Sequence, residues 1–111
     1  MHALLKHPLV NGDVEDAAFW YDQREPAVAV RFVDEARDAM FAAAKDPLHF
    51  SIRFADVRRV RLRHFPHSAF FLVRDQAVLI LAVLHGAREV EKLVQDKKPM
   101  AKILCHAVQT K

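Results

Sequence analysis

The sequence predicts an α+β fold: an N-terminal strand and an antiparallel helical hairpin packed on an antiparallel β-sheet. Three observations predict it. Apolar residues recur at helical spacing between positions 13 and 46. The period changes to that of strands after Pro47. Three strand-like segments then follow one another across short turn signals. The length of 111 residues suits one domain, read as 1–111, with a core at about 3–90 and a C-terminal extension over 91–111. Hydrophobic residues at 52% and charged residues at 28% exclude a disordered chain.

Residues 3–9, ALLKHPL, read as the first strand. Pro8 suits a sheet edge or a strand end. Asn11-Gly12 reads as a break, and Asp13 as the N-cap of a first helix over 13–25. Val14, Ala17, Ala18 and Tyr21 fall on one face of it. Pro26 closes this helix or opens the next.

The second helix spans about 27–45. Val28, Phe32, Ala36, Ala39, Met40 and Ala43 make one apolar stripe, with Arg31, Asp34, Glu35 and Asp38 off it. The small alanines let a neighbouring helix approach closely. Asp46-Pro47 stops the helix.

Residues 57–65, VRRVRLRHF, read as a strand with Arg59, Arg61 and Arg63 on one face and Val60 and Leu62 on the other. Phe65-Pro66-His67 signals a turn. Residues 68–74 and 77–84 are strands joined at Asp75-Gln76, the second apolar enough to be covered on both faces. At strand spacing beside the helices, Phe65, Phe70 and Phe71 read as core rather than as a base-stacking platform. Beyond Ala87, AREVEKLVQ reads as a short helix and MAKILCHAV as an amphipathic tail.

Composition narrows the function. The single cysteine, Cys105, excludes an intramolecular disulfide and reads as a small buried hydrophobe. The N-terminus lacks a signal-peptide pattern. The longest apolar run, Ala77 to Leu84, is too short for a membrane helix, so no membrane partner is expected and the location reads as cytoplasmic. Seven histidines show no zinc-helix spacing, so neither a metal nor any cofactor is expected. Charge is divided along the chain. Residues 13–46 carry nine acids against four bases, and residues 53–111 carry twelve bases against five acids. Arg53, Arg58, Arg59, Arg61 and Arg63 lie within eleven residues, opposed by Asp56 alone. Such density suits phosphates or an acidic protein segment.

Several residues together carry a resemblance. They are Trp20-Tyr21, a proline ahead of Arg31-Phe32, and Asp46-Pro47. The series Val57-Arg58-Arg59-x-x-Leu62-Arg63-x-Phe65-Pro66 follows, then an aromatic strand and Leu81-Ala82-Val83-x-His85-x-x-Arg88. In this order they resemble the RelE/ParE family of toxins from bacterial type II toxin–antitoxin pairs, and more narrowly its ParE-like, plasmid-stabilisation branch. The likeness covers about residues 3–90. His67 stands where relatives often carry Tyr, and the segment after Arg88 departs from the Pro-and-Trp ending of the branch.

The resemblance implies a cognate antitoxin that wraps and neutralises the chain. It implies one of two targets: DNA gyrase for the ParE branch, or messenger RNA on the ribosome for the RelE branch. Arg88 matches the arginine after the last strand in the nucleases. Their second-strand arginine aligns near Ser68 and their C-terminal tyrosine near Val94, so half the nuclease apparatus is missing. Growth inhibition by binding gyrase is therefore the leading expectation, with no catalytic residues. The alternative is an mRNA interferase using Arg61, His64, His67, His85 and Arg88. A third reading is a degenerate homologue that only binds antitoxin. Expected partner contacts are Arg58, Arg59, Arg61, Arg63, Arg88, Lys92, Lys97 and Lys98, with apolar sheet and helix surface buried beside them.

Overall fold

The computed structural model describes residues 1–86. Strand β1 is Ala3–Lys6, helix α1 is Val10–Asp22 and helix α2 is Pro26–Lys45. A 3-10 turn at Pro47–His49 leads to β2 (Ile52–Phe54), β3 (Val57–Arg61), β4 (His67–Arg74) and β5 (Ala77–His85). The five strands form one sheet in the order β1-β5-β4-β3-β2. The expected tail elements, Cys105 and the residues Arg88, Val94, Lys92, Lys97, Lys98 and Lys102 lie outside the described residues.

The sheet is mixed: the expected antiparallel meander is present as β3 to β5, and β1, whose pairing the sequence left open, adds a parallel strand. β2 to β5 form the antiparallel series, but β1 pairs with β5 in parallel, Ala3 opposite Ala77 and Lys6 opposite Ile80. The helical hairpin separates β1 from the meander and lets it enter beside the last strand. Backbone bonds from His2 to Ala44 and from His7 to Ile80 tie it there. Among the described residues β1 is the outermost strand, and it stops at Lys6, so Pro8 lies beyond the strand expected over 3–9.

Helix α1 begins at Val10, not at Asp13. His7 is the reason: its carbonyl accepts from the Val10 N–H, and its Nδ1 accepts from the Leu9 N–H at 3.2 Å. Asn11 and Gly12 are thereby absorbed into the first turn. Asp13 serves a different bond, since its Oδ2 accepts from the Val83 N–H at 3.1 Å and pins α1 to β5. Pro26 occupies the first turn of α2, where its missing N–H costs nothing.

The helices cover one face of the sheet. Phe32, Ala36, Ala39, Met40 and Ala43 of α2 pack with Val60, Leu62, Ala69, Phe71, Val78, Ile80 and Val83. Val14, Ala17, Ala18, Tyr21 and Val28 close the margin, as their spacing predicts. Val57, Phe70, Leu72, Ala77, Leu79, Leu81 and Ala82 form a second buried cluster on the other face, to which neither helix contributes.

One irregularity sets which residue faces which way. Phe70 lies opposite Ala82 and Phe71 opposite Ile80, so Leu81 is an extra residue in β5. Across this bulge Leu81 and Ala82 both join the second cluster, and the alternation resumes with Val83 toward the helices. His85 is brought opposite His67.

Candidate functional site

The charged and polar residues singled out in the sequence fall into three settings. The first lies between α2 and the β3–β4 connection. Strand β3 ends at Arg61, so Arg63 and His64 leave the strand face that alternation assigns to Arg63. They border a polar trough of about 520 Å³ together with Arg31, Asp34, Glu35 and Asp38. Glu35 is not off the buried stripe but 7% exposed. Its Oε1 accepts from the His64 backbone N–H at 2.9 Å, and its Oε2 lies 2.6 Å from His64 Nδ1. Burial pushes the Glu35 carboxyl upward. The His64 backbone and ring hydrogen bonds and the His64 charge outweigh that and hold it below the usual 4.5. The His64 side chain itself is 63% exposed.

The second setting is the His67–His85 pair at the end of β4 and β5, with ring centroids 5.1 Å apart. His67 is buried against Phe32 at 4.7 Å and Tyr21 at 6.1 Å. Its Nδ1 has no hydrogen-bond partner among the described residues. Burial, and secondarily the charge of His85, pull its pKa from 6.5 down to about 4. A ring so placed is neutral near pH 7 and packs like an aromatic. The turn expected at Phe65-Pro66-His67 thus closes one residue earlier, because His67 already belongs to β4.

Four of the five residues expected as a nuclease set, Arg61, His64, His67 and His85, are among the described residues, and they stand in different local settings. His67 and His85 pair with each other, while Glu35 on α2 fixes His64. Arg61 lies opposite Ser68, and Arg88 is outside the described residues. Among the described residues no three His, Cys, Asp or Glu side chains group to hold a metal ion. No described helix is long and apolar enough to cross a membrane.

The third setting is the arginine cluster, which the structure divides. Arg58 is committed to the fold, its Nη1 donating to the Phe50 carbonyl at 2.6 Å. Asp56 is bonded to Arg74 Nη2 at 2.5 Å. Arg59 is half-buried, and burial followed by the charges of Arg53 and Arg61 lowers its pKa. Arg53, Arg59 and Arg61 form no ion pair among the described residues.

Sequence reasoning missed a further surface. Phe19, Val30 and Val33, with Ala18 and Ala29, line an open groove of about 410 Å³ between the outer sides of α1 and α2, with Asp22 and Asp34 at its margin. Phe19 is 63% exposed and Trp20 is 50% exposed. The Arg24 guanidinium lies 3.5 Å from the Trp20 ring centroid, a cation–π contact on the same hairpin. The signal was present in the sequence. Large apolar residues stand beside the buried stripe of each helix, which is one more apolar face than packing on the sheet needs.

The family described as the ParE toxin of the type II toxin–antitoxin system parDE matches residues 4–90. The fold is similar to a solved structure titled as the chromosomal ParDE TA system from P. aeruginosa. The TM-score is 0.69 at 19% identity, with 78% of this chain and 98% of that chain covered. No curated protein matches the chain.

Proposed function

We infer the function from one premise: the chain belongs to the ParE toxin family of type II toxin–antitoxin systems. As a cytoplasmic toxin built on one domain, it stops growth by binding DNA gyrase, and a cognate antitoxin neutralises it. No cofactor and no catalytic residue enter this reading. The antitoxin buries apolar surface and pairs with basic side chains. The open groove at Phe19, Val30 and Val33 supports the first contact, and Arg59 and Arg61, which form no ion pair among the described residues, support the second.

The observation that weighs against RNA cleavage, and so leaves gyrase binding as the leading reading, is the setting of His67. Cleavage through a 2′-hydroxyl needs a base poised near neutrality and open to substrate. His67 is buried between aromatic rings with a pKa of about 4. His64 stays 63% exposed, but its Nδ1 is engaged by Glu35, which ties the ring to α2.

A supercoiling assay with purified, antitoxin-free protein tests the proposal. Loss of supercoiling, or accumulation of cleaved DNA–gyrase complex, is the expected result. Folded protein that still arrests growth but leaves supercoiling intact discards gyrase as the target. Messenger RNA cleavage on ribosomes would then be assayed first, with Arg61→Ala and Arg88→Ala. Folded protein without growth arrest identifies a homologue that only binds antitoxin.

A further inference from the structure

We propose that His67 and His85 form a two-point site for a divalent transition-metal ion, Zn²⁺ above all, where β4 and β5 meet at the end of the sheet. The proposal does not rest on the toxin reading.

Three observations carry it. The first is register. His67 lies directly opposite His85, and the Gly86 N–H donates to the Pro66 carbonyl at 3.2 Å just beyond them. That bond belongs to the neighbouring residue pair, which makes His67 and His85 a non-hydrogen-bonded pair of the antiparallel ladder. Side chains approach most closely at such positions, with Cβ atoms about 4.5–5.5 Å apart. Both rings leave the sheet on the same side, the side on which His67 meets Phe32.

The second observation is distance. The two ring centroids are 5.1 Å apart. Two imidazoles bound through nitrogen to one tetrahedral ion, at about 2.0–2.1 Å per bond, place their centroids about 5 Å apart. The strands therefore hold the rings at the spacing that chelation needs, and rotation of the rings aims their nitrogens.

The third observation is the unspent nitrogen. His67 is 7% exposed, and its Nδ1 has no hydrogen-bond partner among the described residues. The other histidines of the framework differ. The Nδ1 of His7 accepts from the Leu9 N–H, and that of His64 lies against Glu35. A buried polar atom left unpartnered costs stability, and fixing the ring by ligation gives it a use. Burial also keeps His67 neutral near pH 7, so an incoming ion displaces no proton from it. His85 is exposed, so the ion keeps positions on that side for water or for a donor from a partner. Imidazole nitrogen suits Zn²⁺, Ni²⁺ and Cu²⁺, whereas Mg²⁺ prefers oxygen.

The experiment titrates ZnCl₂ into the full chain by calorimetry near neutral pH, with excess Mg²⁺ present. Cys105→Ala is carried in every sample to remove the one thiol of the chain. Saturable binding of one Zn²⁺ per chain is expected. His85→Ala, at an exposed position, should weaken it roughly tenfold or more. His67→Phe should do the same while keeping an aromatic ring against Phe32. His49→Ala, at an exposed histidine outside the pair, should leave affinity within about twofold. Thermal unfolding gives a second reading: Zn²⁺ should raise the Tm of the parent and not that of either pair variant. A folded His85→Ala or His67→Phe that binds Zn²⁺ as the parent does overturns the site and places the ion on other groups. A parent without saturable binding overturns it as well, and leaves the pair as an edge-to-face ring contact only.

Discussion

The α2 side of the molecule and its β2–β3 edge treat charge in opposite ways. On α2, Asp34 pairs with Arg37, and the buried Glu35 takes both the backbone and the ring of His64. These charges are consumed within the fold. At β2–β3, Arg53, Arg59 and Arg61 repel one another without an ion-pair partner among the described residues. A paired charge reports how the chain is held together. An unpaired cluster on an edge reports what the chain is prepared to meet.

Four measurements test this contrast, and the largest effect belongs to the consumed charges. Glu35→Ala removes two hydrogen bonds and leaves the His64 N–H without its acceptor. A loss of about 2–3 kcal/mol in urea unfolding is expected. A loss below about 0.5 kcal/mol would show that the clasp is incidental.

Acid should act on the same side of the molecule. The folded pKa of His67, about 4, lies below its unfolded 6.5. Its contribution is therefore intact above pH 6.5 and declines as pH falls toward 4. Glu35 adds in the same direction, since its carboxyl is held below 4.5 and its stabilisation fades as it protonates. With screening on the exposed His85 side, the His67 share is about 1–2 kcal/mol. His67→Phe should flatten the decline between pH 6.5 and 4, and an unchanged slope would assign it to other groups.

Arg58 makes an intermediate case. It belongs to the basic run in sequence but to the framework in structure, through its bond to Phe50. Arg58→Ala should cost about 1 kcal/mol without reducing antitoxin affinity by more than a few-fold. Loss of affinity without loss of stability would move Arg58 to the other side of the comparison.

The smallest effect is expected at the edge. Arg59→Ala and Arg61→Ala should change stability by no more than about 0.5 kcal/mol, with relief of repulsion offsetting lost packing. Thermal unfolding checks this directly. A Tm decrease as large as that of Glu35→Ala would mean that these arginines are structural after all.

Several particulars show how far the sequence reaches. Val28, Phe32, Ala36, Ala39, Met40 and Ala43 announce their face because a helix keeps a fixed 3.6-residue period. Val60 and Leu62 do so between arginines because a strand alternates. The run from Ala77 to Leu84 announces nothing comparable. All its residues are apolar, so the bulge at Leu81 leaves no mark in the pattern. The candidate site divides similarly. The density of Arg53 to Arg63 is plain in the sequence, but which of them are engaged is not. Phe19 and Val30 were legible as apolar residues and became a surface only once α1 and α2 were side by side.

What the sequence determined alone was local: the helical stripe, the Pro26 and Asp46-Pro47 boundaries, the strand runs and the segregation of acid from base. These depend on the periodicity and stereochemistry of neighbouring residues. The tertiary structure alone decided the parallel pairing of β1 with β5, the transfer of Asp13 from cap to cross-link, the burial of Glu35 under His64 and the placing of Arg59 beside Arg53 and Arg61. Each joins or separates groups distant in the chain, Glu35 from His64 by 29 residues and Asp13 from Val83 by 70. Their energies depend on burial and distance in space, neither of which a residue's own neighbours in sequence can specify.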